Sequence, residues 1–218
     1  MVSVKSWLKS LYAIVFSLAS AVVLAIVASF PLLYIFLKTT DITKITSFSA
    51  ETIMGNYTQL MIYLLWPFQT VLKMSDFPTS VNGAQHFADV KVLFLLALGV
   101  FIVLGIFYRW ILKDKLLSKS VLILGMIVPL IVVPFAVLNF DSFFIIFHET
   151  LFSNKDWLFD PATDPIINVL PETFFAATFA IGLLIYEVQL WFTLKKKKPN
   201  SDELGFFLFC FEIDKNNG

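Results

Sequence analysis

SLYAIVFSLASAVVLAIVASFPLLYIFL, residues 10–37, lies between Lys9 and Lys38 and carries no charged side chain. A hydrocarbon core about 30 Å thick takes roughly 20 apolar residues as helix, so this stretch is long enough to cross a bilayer. Lys5, Lys9 and the small residues Ala19-Ser20-Ala21 imitate a signal peptide with its cleavage site. The apolar run continues far beyond that point, past any normal signal-peptide core, and an uncleaved anchor is expected. Three more stretches pass the same test. Residues 92–112 are uncharged except for Arg109, which can snorkel to the interface. Residues 120–140 are uncharged and hold Pro129 and Pro134, which neighbouring helices accommodate in a membrane. Residues 173–194 hold one acid, Glu187. The expected fold class is therefore an all-α membrane protein with four transmembrane helices. A single transmembrane domain spans residues 1–200, and a tail follows at 201–218.

Composition agrees with this reading. Of 218 residues, 58% are hydrophobic and 15% charged, against roughly 45–50% and 25% in soluble domains. Sixteen basic and sixteen acidic side chains cancel, so net charge gives no argument for a nucleic-acid partner. The single cysteine excludes an intrachain disulfide framework and any zinc site built from several cysteines.

Charge asymmetry then assigns the sides. With the N-terminus in the cytoplasm, eleven basic residues lie inside and five outside, while six acids lie inside and ten outside. Trp7, Trp110 and Trp191 fall together at the inner interface, and both termini are cytoplasmic. Two large segments, 38–91 and 141–172, face outward and hold both histidines. Any chemistry is expected at the extracytoplasmic face.

Within the first outer segment, Tyr57 to Met74 is apolar but interrupted by Pro67 and diluted by Gln59 and Gln69. An interfacial or re-entrant helix suits it better than a fifth span, which would place the Lys195–Lys198 cluster outside. Asn56-Tyr57-Thr58 fits a glycosylation sequon, a pattern that needs a eukaryotic secretory setting to carry weight. The second outer segment is rich in aromatic residues and punctuated by Pro161, Pro165 and Pro171, as suits a surface in the headgroup zone. Asp156, Asp160 and Asp164 recur every fourth residue, but the prolines argue against one helical face.

Familiar catalytic signatures are absent: there is no G-x-S-x-G, no G-x-G-x-x-G and no Walker loop. His148-Glu149 begins like H-E-x-x-H, yet position 152 is Phe. Cys210 lies in the tail, across the membrane from both histidines. What remains is His86 and His148, each at the outer end of a span. Asp89, three residues after His86, is placed to hold that ring in one tautomer, and Asp160 and Asp164 can orient either imidazole. Each histidine alone also reads as an interfacial polar residue satisfied by a neighbour. Glu187 is an intramembrane acid, a functional hypothesis by default; its nearness to Lys195–Lys198 gives it an interfacial partner. The lysine run reads as a topology anchor on anionic lipid. Ala176 and Ala180 read as a small-residue packing pair.

DFPTSVNGAQHFADVKVLF (Asp76–Phe94) and FDSFFIIFHETLFSNKDWLFDPATDPIINVLPETFF (Phe140–Phe175) resemble the two signature blocks of the bacterial lipoprotein intramolecular transacylase (Lit) family. The resemblance covers roughly a quarter of the chain and agrees with the four-span layout. It implies an enzyme of the bacterial cytoplasmic membrane acting on diacylglyceryl-modified lipoproteins. The sn-2 acyl chain moves to the α-amine of the same N-terminal cysteine, giving the N-acyl, S-monoacylglyceryl (lyso) form. The family's two signature histidines fall on His86 and His148.

The residue inventory suits such a transfer, because the substrate brings its own nucleophile and no catalytic Ser or Cys is needed. A free α-amine has a pKa of about 7.7–8.0. A neutral imidazole can take its proton and return it to the departing glycerol oxygen. The second imidazole can donate to the tetrahedral oxyanion. His86 is expected as the base, through Asp89, and His148 as the oxyanion donor or acid. Asp89, Trp157, Asp160 and Asp164 are expected in positioning roles. Lys91 contacts the glycerol region or snorkels. No metal or other cofactor is expected, and the partners are the lipoprotein substrate and membrane lipid.

Two other classes stay open at this level. A metal- or haem-binding membrane protein would use the histidines as ligands, with rings facing each other through the metal. A non-catalytic partner would use the same outer surface as a lipid-binding groove.

Overall fold

The computed structural model describes residues 3–113 and 116–195. The described residues form helices α1 (Val4–Thr39), α2 (Ile42–Thr46), α3 (Ala50–Leu65), α4 (Val81–Ile111), α5 (Lys119–Leu138), α6 (Phe140–Leu151), α7 (Ile166–Val169) and α8 (Glu172–Lys195). Four of them, α1, α4, α5 and α8, are long and apolar enough to cross a membrane. The protein is an all-helical, multi-pass membrane protein.

Serine starts α1, α3, α4 and α5. The hydroxyls of Ser3, Ser49, Ser80 and Ser118 accept from the backbone N–H groups of Ser6, Thr52, Gly83 and Val121. Each bond satisfies one of the donors a first helical turn leaves open. Pro31, Pro129 and Pro134 all lie inside helices.

Helix α1 is the central post, packed against α8, α4, α5 and α3. Its buried face is mostly small and weakly polar, with Ser10, Ala13, Ser17, Ser20, Ala21, Ala25 and Ser29, and turns larger and apolar at Ile26, Leu33 and Leu37. With no hydrophobic drive between helices in lipid, close approach and interhelical hydrogen bonds supply the association. A Cβ added to Gly182 on α8 would stand 3.4 Å from that of Ala25. The Gln189 amide donates to Ser20 Oγ at 2.7 Å, and Tyr186 Oη donates to the Gly125 carbonyl at 2.9 Å. The close contact on α8 thus falls at Gly182, whereas Ala180 is exposed. Contacts between Phe36 and Phe174 at one end, and between Ser10 and Ser118 at the other, set the spans antiparallel in sequence order. Trp7, Trp110 and Trp191 are exposed at the Ser10 end.

Three elements differ from the hydropathy reading. Helix α4 begins at Val81, eleven residues before the uncharged run at Val92, so His86 sits on the spanning helix itself. Helix α3 runs over residues 50–65, earlier than the apolar stretch suggested, and stops at Trp66 before Pro67. It docks on α1 and α4 with Ile53, Tyr57, Leu60 and Leu64 buried. Asn56 is 1% exposed and donates to Asp76 Oδ2 at 2.7 Å, so it is a packing residue rather than a glycan acceptor. Finally, the backbone breaks at Asn139, whose side chain accepts from Ser142 N–H and starts α6.

Glu187 Oε1 is buried with no hydrogen-bond partner, while Lys195 Nζ sits over the Trp191 ring at 4.0 Å. Lys196–Lys198, Cys210 and the 201–218 tail lie outside the described residues.

Candidate active site

His86 is carried by the first turns of α4 and His148 by the last turn of α6. The two helices bring the imidazole centroids to 5.7 Å. Both rings are buried, at 7% and 9% exposure. Their surroundings are aromatic. Phe152 and Phe159 stand edge-on to His86 at 4.8 and 5.5 Å. Phe144 lies 4.0 Å from the His148 ring, Trp157 lies 4.9 Å from it, and Phe147 meets it edge-on. Phe144, His148 and Phe152 follow at four-residue spacing along α6 and its cap, so one helix face supplies three of these rings.

His148 has a defined tautomer. Its Nδ1 is 2.7 Å from the Phe144 carbonyl oxygen, which can only accept, so Nδ1 carries the proton and donates. The neutral ring then leaves its lone pair on Nε2. Burial pushes the His148 pKa below the usual imidazole value, and the bond to Phe144 offsets this only in part. The site therefore holds a neutral base at ordinary pH. His86 differs: its Nδ1 is buried with no hydrogen-bond partner. A buried polar atom left open costs about 1–3 kcal/mol, and such an atom beside a second imidazole is available to a ligand.

The expected acids are placed differently from the sequence reading. Asp89 does not hydrogen-bond His86. Its two oxygens accept from Gln85 Nε2 at 3.0 Å and Asn154 Nδ2 at 2.9 Å. Asp160 turns the chain, accepting from Ala162 N–H through its side chain and from Asp164 N–H through its carbonyl. Asp164, only 2% exposed, accepts from Ser80 N–H and Thr163 Oγ1, both at 2.8 Å. It ties the segment after α6 to the cap of α4, instead of orienting an imidazole. Trp157 lies against the His148 ring, its indole N–H bonded to the Asn154 carbonyl. Lys91 points inward, donating to the Gln69 carbonyl and lying 4.5 Å from the Tyr63 ring. It secures the segment after α3.

Four contributors were not read from sequence. The Phe144 carbonyl follows from an i, i+4 relation once residues 140–151 are seen as a helix. Phe152 and Phe159 had only their composition as a signal. Asn154 had none, because its partner is 65 residues away in the chain. Among the described residues no group of three or more His, Cys, Asp or Glu side chains is arranged to hold a metal. A metal ion held by three or more such side chains thus finds no ligand set among the described residues.

The family model "Lipoprotein intramolecular transacylase Lit" matches residues 7–175. A solved structure of the membrane-integral lipoprotein intramolecular transacylase Lit from Bacillus cereus superposes with a TM-score of 0.74 at 28% identity. The match covers 97% of this chain and 95% of that one. Two structures of the same relative, with a histidine replaced by arginine or by alanine, match at TM-score 0.63 and 27% identity. They too are matched over 97% of this chain, and over 92% and 93% of their own. No curated protein sequence matches this one.

Proposed function

This chain belongs to the lipoprotein intramolecular transacylase family, and on that premise we propose the reaction and the residues that perform it. The substrate is a diacylglyceryl-modified bacterial lipoprotein, held at the extracytoplasmic face of the cytoplasmic membrane. The α-amine of its N-terminal cysteine attacks the sn-2 ester carbonyl. A C–N bond forms, the C–O bond to glycerol breaks, and the amine proton ends on the glycerol oxygen. The products are the amide and the free sn-2 hydroxyl of the lyso form, with no water consumed.

His148 takes the proton, because its Nδ1–H is committed to the Phe144 carbonyl and Nε2 is the remaining acceptor. This reverses the role expected from Asp89, which is bonded elsewhere. The same Nε2 then returns the proton to the leaving oxygen. His86, whose Nδ1 has no other partner, binds the developing oxyanion in its protonated-nitrogen form. The surrounding phenylalanine and tryptophan rings limit water, which would divert the ester to hydrolysis.

The observation that carries this reading is the 5.7 Å approach of two buried imidazoles from different helices. The test is separate replacement of His86 and His148 by alanine, followed by mass spectrometry of lipoprotein N-termini. Each variant is expected to lose about 10²–10⁴-fold in N-acylation rate at normal abundance. Full modification in both variants would overturn the assignment.

A further inference from the structure

Between α6 and α7 the chain runs from Phe152 to Pro165 with no long helix, yet it supplies Phe152, Trp157 and Phe159 to the walls around the imidazoles. Something must hold this segment in register with α4. Asn154 is the junction. Its amide nitrogen donates to Asp89 Oδ2 at 2.9 Å, and its side-chain oxygen accepts from Asp156 N–H at 3.2 Å. Its main-chain carbonyl accepts from Trp157 Nε1 at 3.2 Å. Gln85 donates to the other Asp89 oxygen and orients that carboxylate. A continuous set of bonds thus runs from α4, one turn beyond His86, through Asn154 to the indole lying against His148.

We propose that Asn154 is a positioning residue for acyl transfer: its bond to Asp89 holds Trp157 against His148 and sets the separation of the two imidazoles. The inference rests on His86 and His148 being the reacting pair. A misplacement of about 1 Å at a reacting centre costs roughly 10²-fold in rate, and a loosened segment would produce it.

The bonding pattern allows an exchange test. Asn154→Asp sets two carboxylates against each other. The double variant Asp89→Asn/Asn154→Asp restores every bond, with only the one between positions 89 and 154 reversed in polarity. The amide it places on α4 would donate to the carboxylate it places in the loop and still accept from Gln85. That loop carboxylate would still accept from Asp156 N–H. Full-length protein in liposomes is given a synthetic diacylglyceryl lipopeptide, and kcat, KM, melting temperature and rate against pH are recorded. Asn154→Asp and Asn154→Ala are expected to lower kcat by about 10²-fold with KM within about threefold, and the exchange variant to return within about tenfold of wild type. Folded single variants with wild-type kcat would overturn the proposal. So would a folded exchange variant that stays as slow as Asn154→Asp. If Asn154→Asp fails to accumulate, Asn154→Ala and the exchange variant decide the matter by the same criteria. A wild-type protein that forms no lyso product would instead refute the transacylase reading.

Discussion

Gly83→Ala should damage this enzyme although alanine is the better helix former. Gly83 is buried in the first turn of α4, and a Cβ there would stand 2.3 Å from Asp164 Oδ1 and 3.2 Å from Thr79 Cγ2. Ordinary contact begins at 3.4 Å, so Asp164 must retreat by about 1 Å. It cannot do so freely, since it is bonded to Ser80 N–H and Thr163 Oγ1. Overpacking costs about 1–3 kcal/mol, and a weakened buried acceptor adds about 1–3 kcal/mol. The helix-propensity gain of about 1 kcal/mol offsets only part. A net loss of about 1–5 kcal/mol is expected, together with a fall in rate as the 152–165 segment shifts from α4 and carries Trp157 away from His148. Gly55→Ala is the matched control, because a Cβ there meets nothing within 4 Å, and it should be neutral or stabilising. Detergent-solubilised variants can be compared by thermal unfolding and by lyso-lipopeptide formation. If Gly83→Ala behaves like Gly55→Ala in both assays, the tie between Asp164 and the α4 cap is not what positions this segment.

Other perturbations have equally definite outcomes. His148 is held below the usual imidazole pKa by burial, so its neutral form persists as pH falls below about 6.5. The acid limb of the rate should therefore follow the substrate amine near pH 7.7–8.0; a limb centred at 6.5 or above that moves with imidazole substitution would refute this. For stability, the unfolded ring binds its proton first as pH falls. The His148 contribution is thus complete above about pH 6.5 and is lost between there and the lowered folded pKa, which thermal melts across pH 4–8 would reveal. Trp157→Phe gives up one hydrogen bond, about 1 kcal/mol, and should fold with reduced kcat; Trp157→Ala should cost about 3–5 kcal/mol in unfolding experiments. Lys91→Met removes the bond to Gln69 and the stacking on Tyr63, so amide exchange should rise in residues 66–75 and stay unchanged in α5.

The spans were legible because a bilayer demands long uncharged runs, and such runs survive as a one-dimensional signal. Their ends were less so. Val81–Lys91 mixes polar and apolar side chains, and only the Ser80 cap announces that α4 has begun. Helix α6 was hidden by its aromatic content, which reads as interfacial surface until Asn139 is seen to cap it. The two histidines stood out by scarcity and by topology. Their setting did not, because hydrogen bonds between Asp89 and Asn154, or Ser80 and Asp164, join positions whose proximity is created only by folding. The short spacing from His86 to Asp89 suggested a bond that the helix geometry instead directs to Gln85 and Asn154.

His86 belongs to the half of the chain before the 112–118 link, and His148 to the half after it, with α1 reaching across to α5 and α8. Neither half alone carries both histidines. On the proposed mechanism, the reacting pair is complete only when the two halves of the chain have docked on each other.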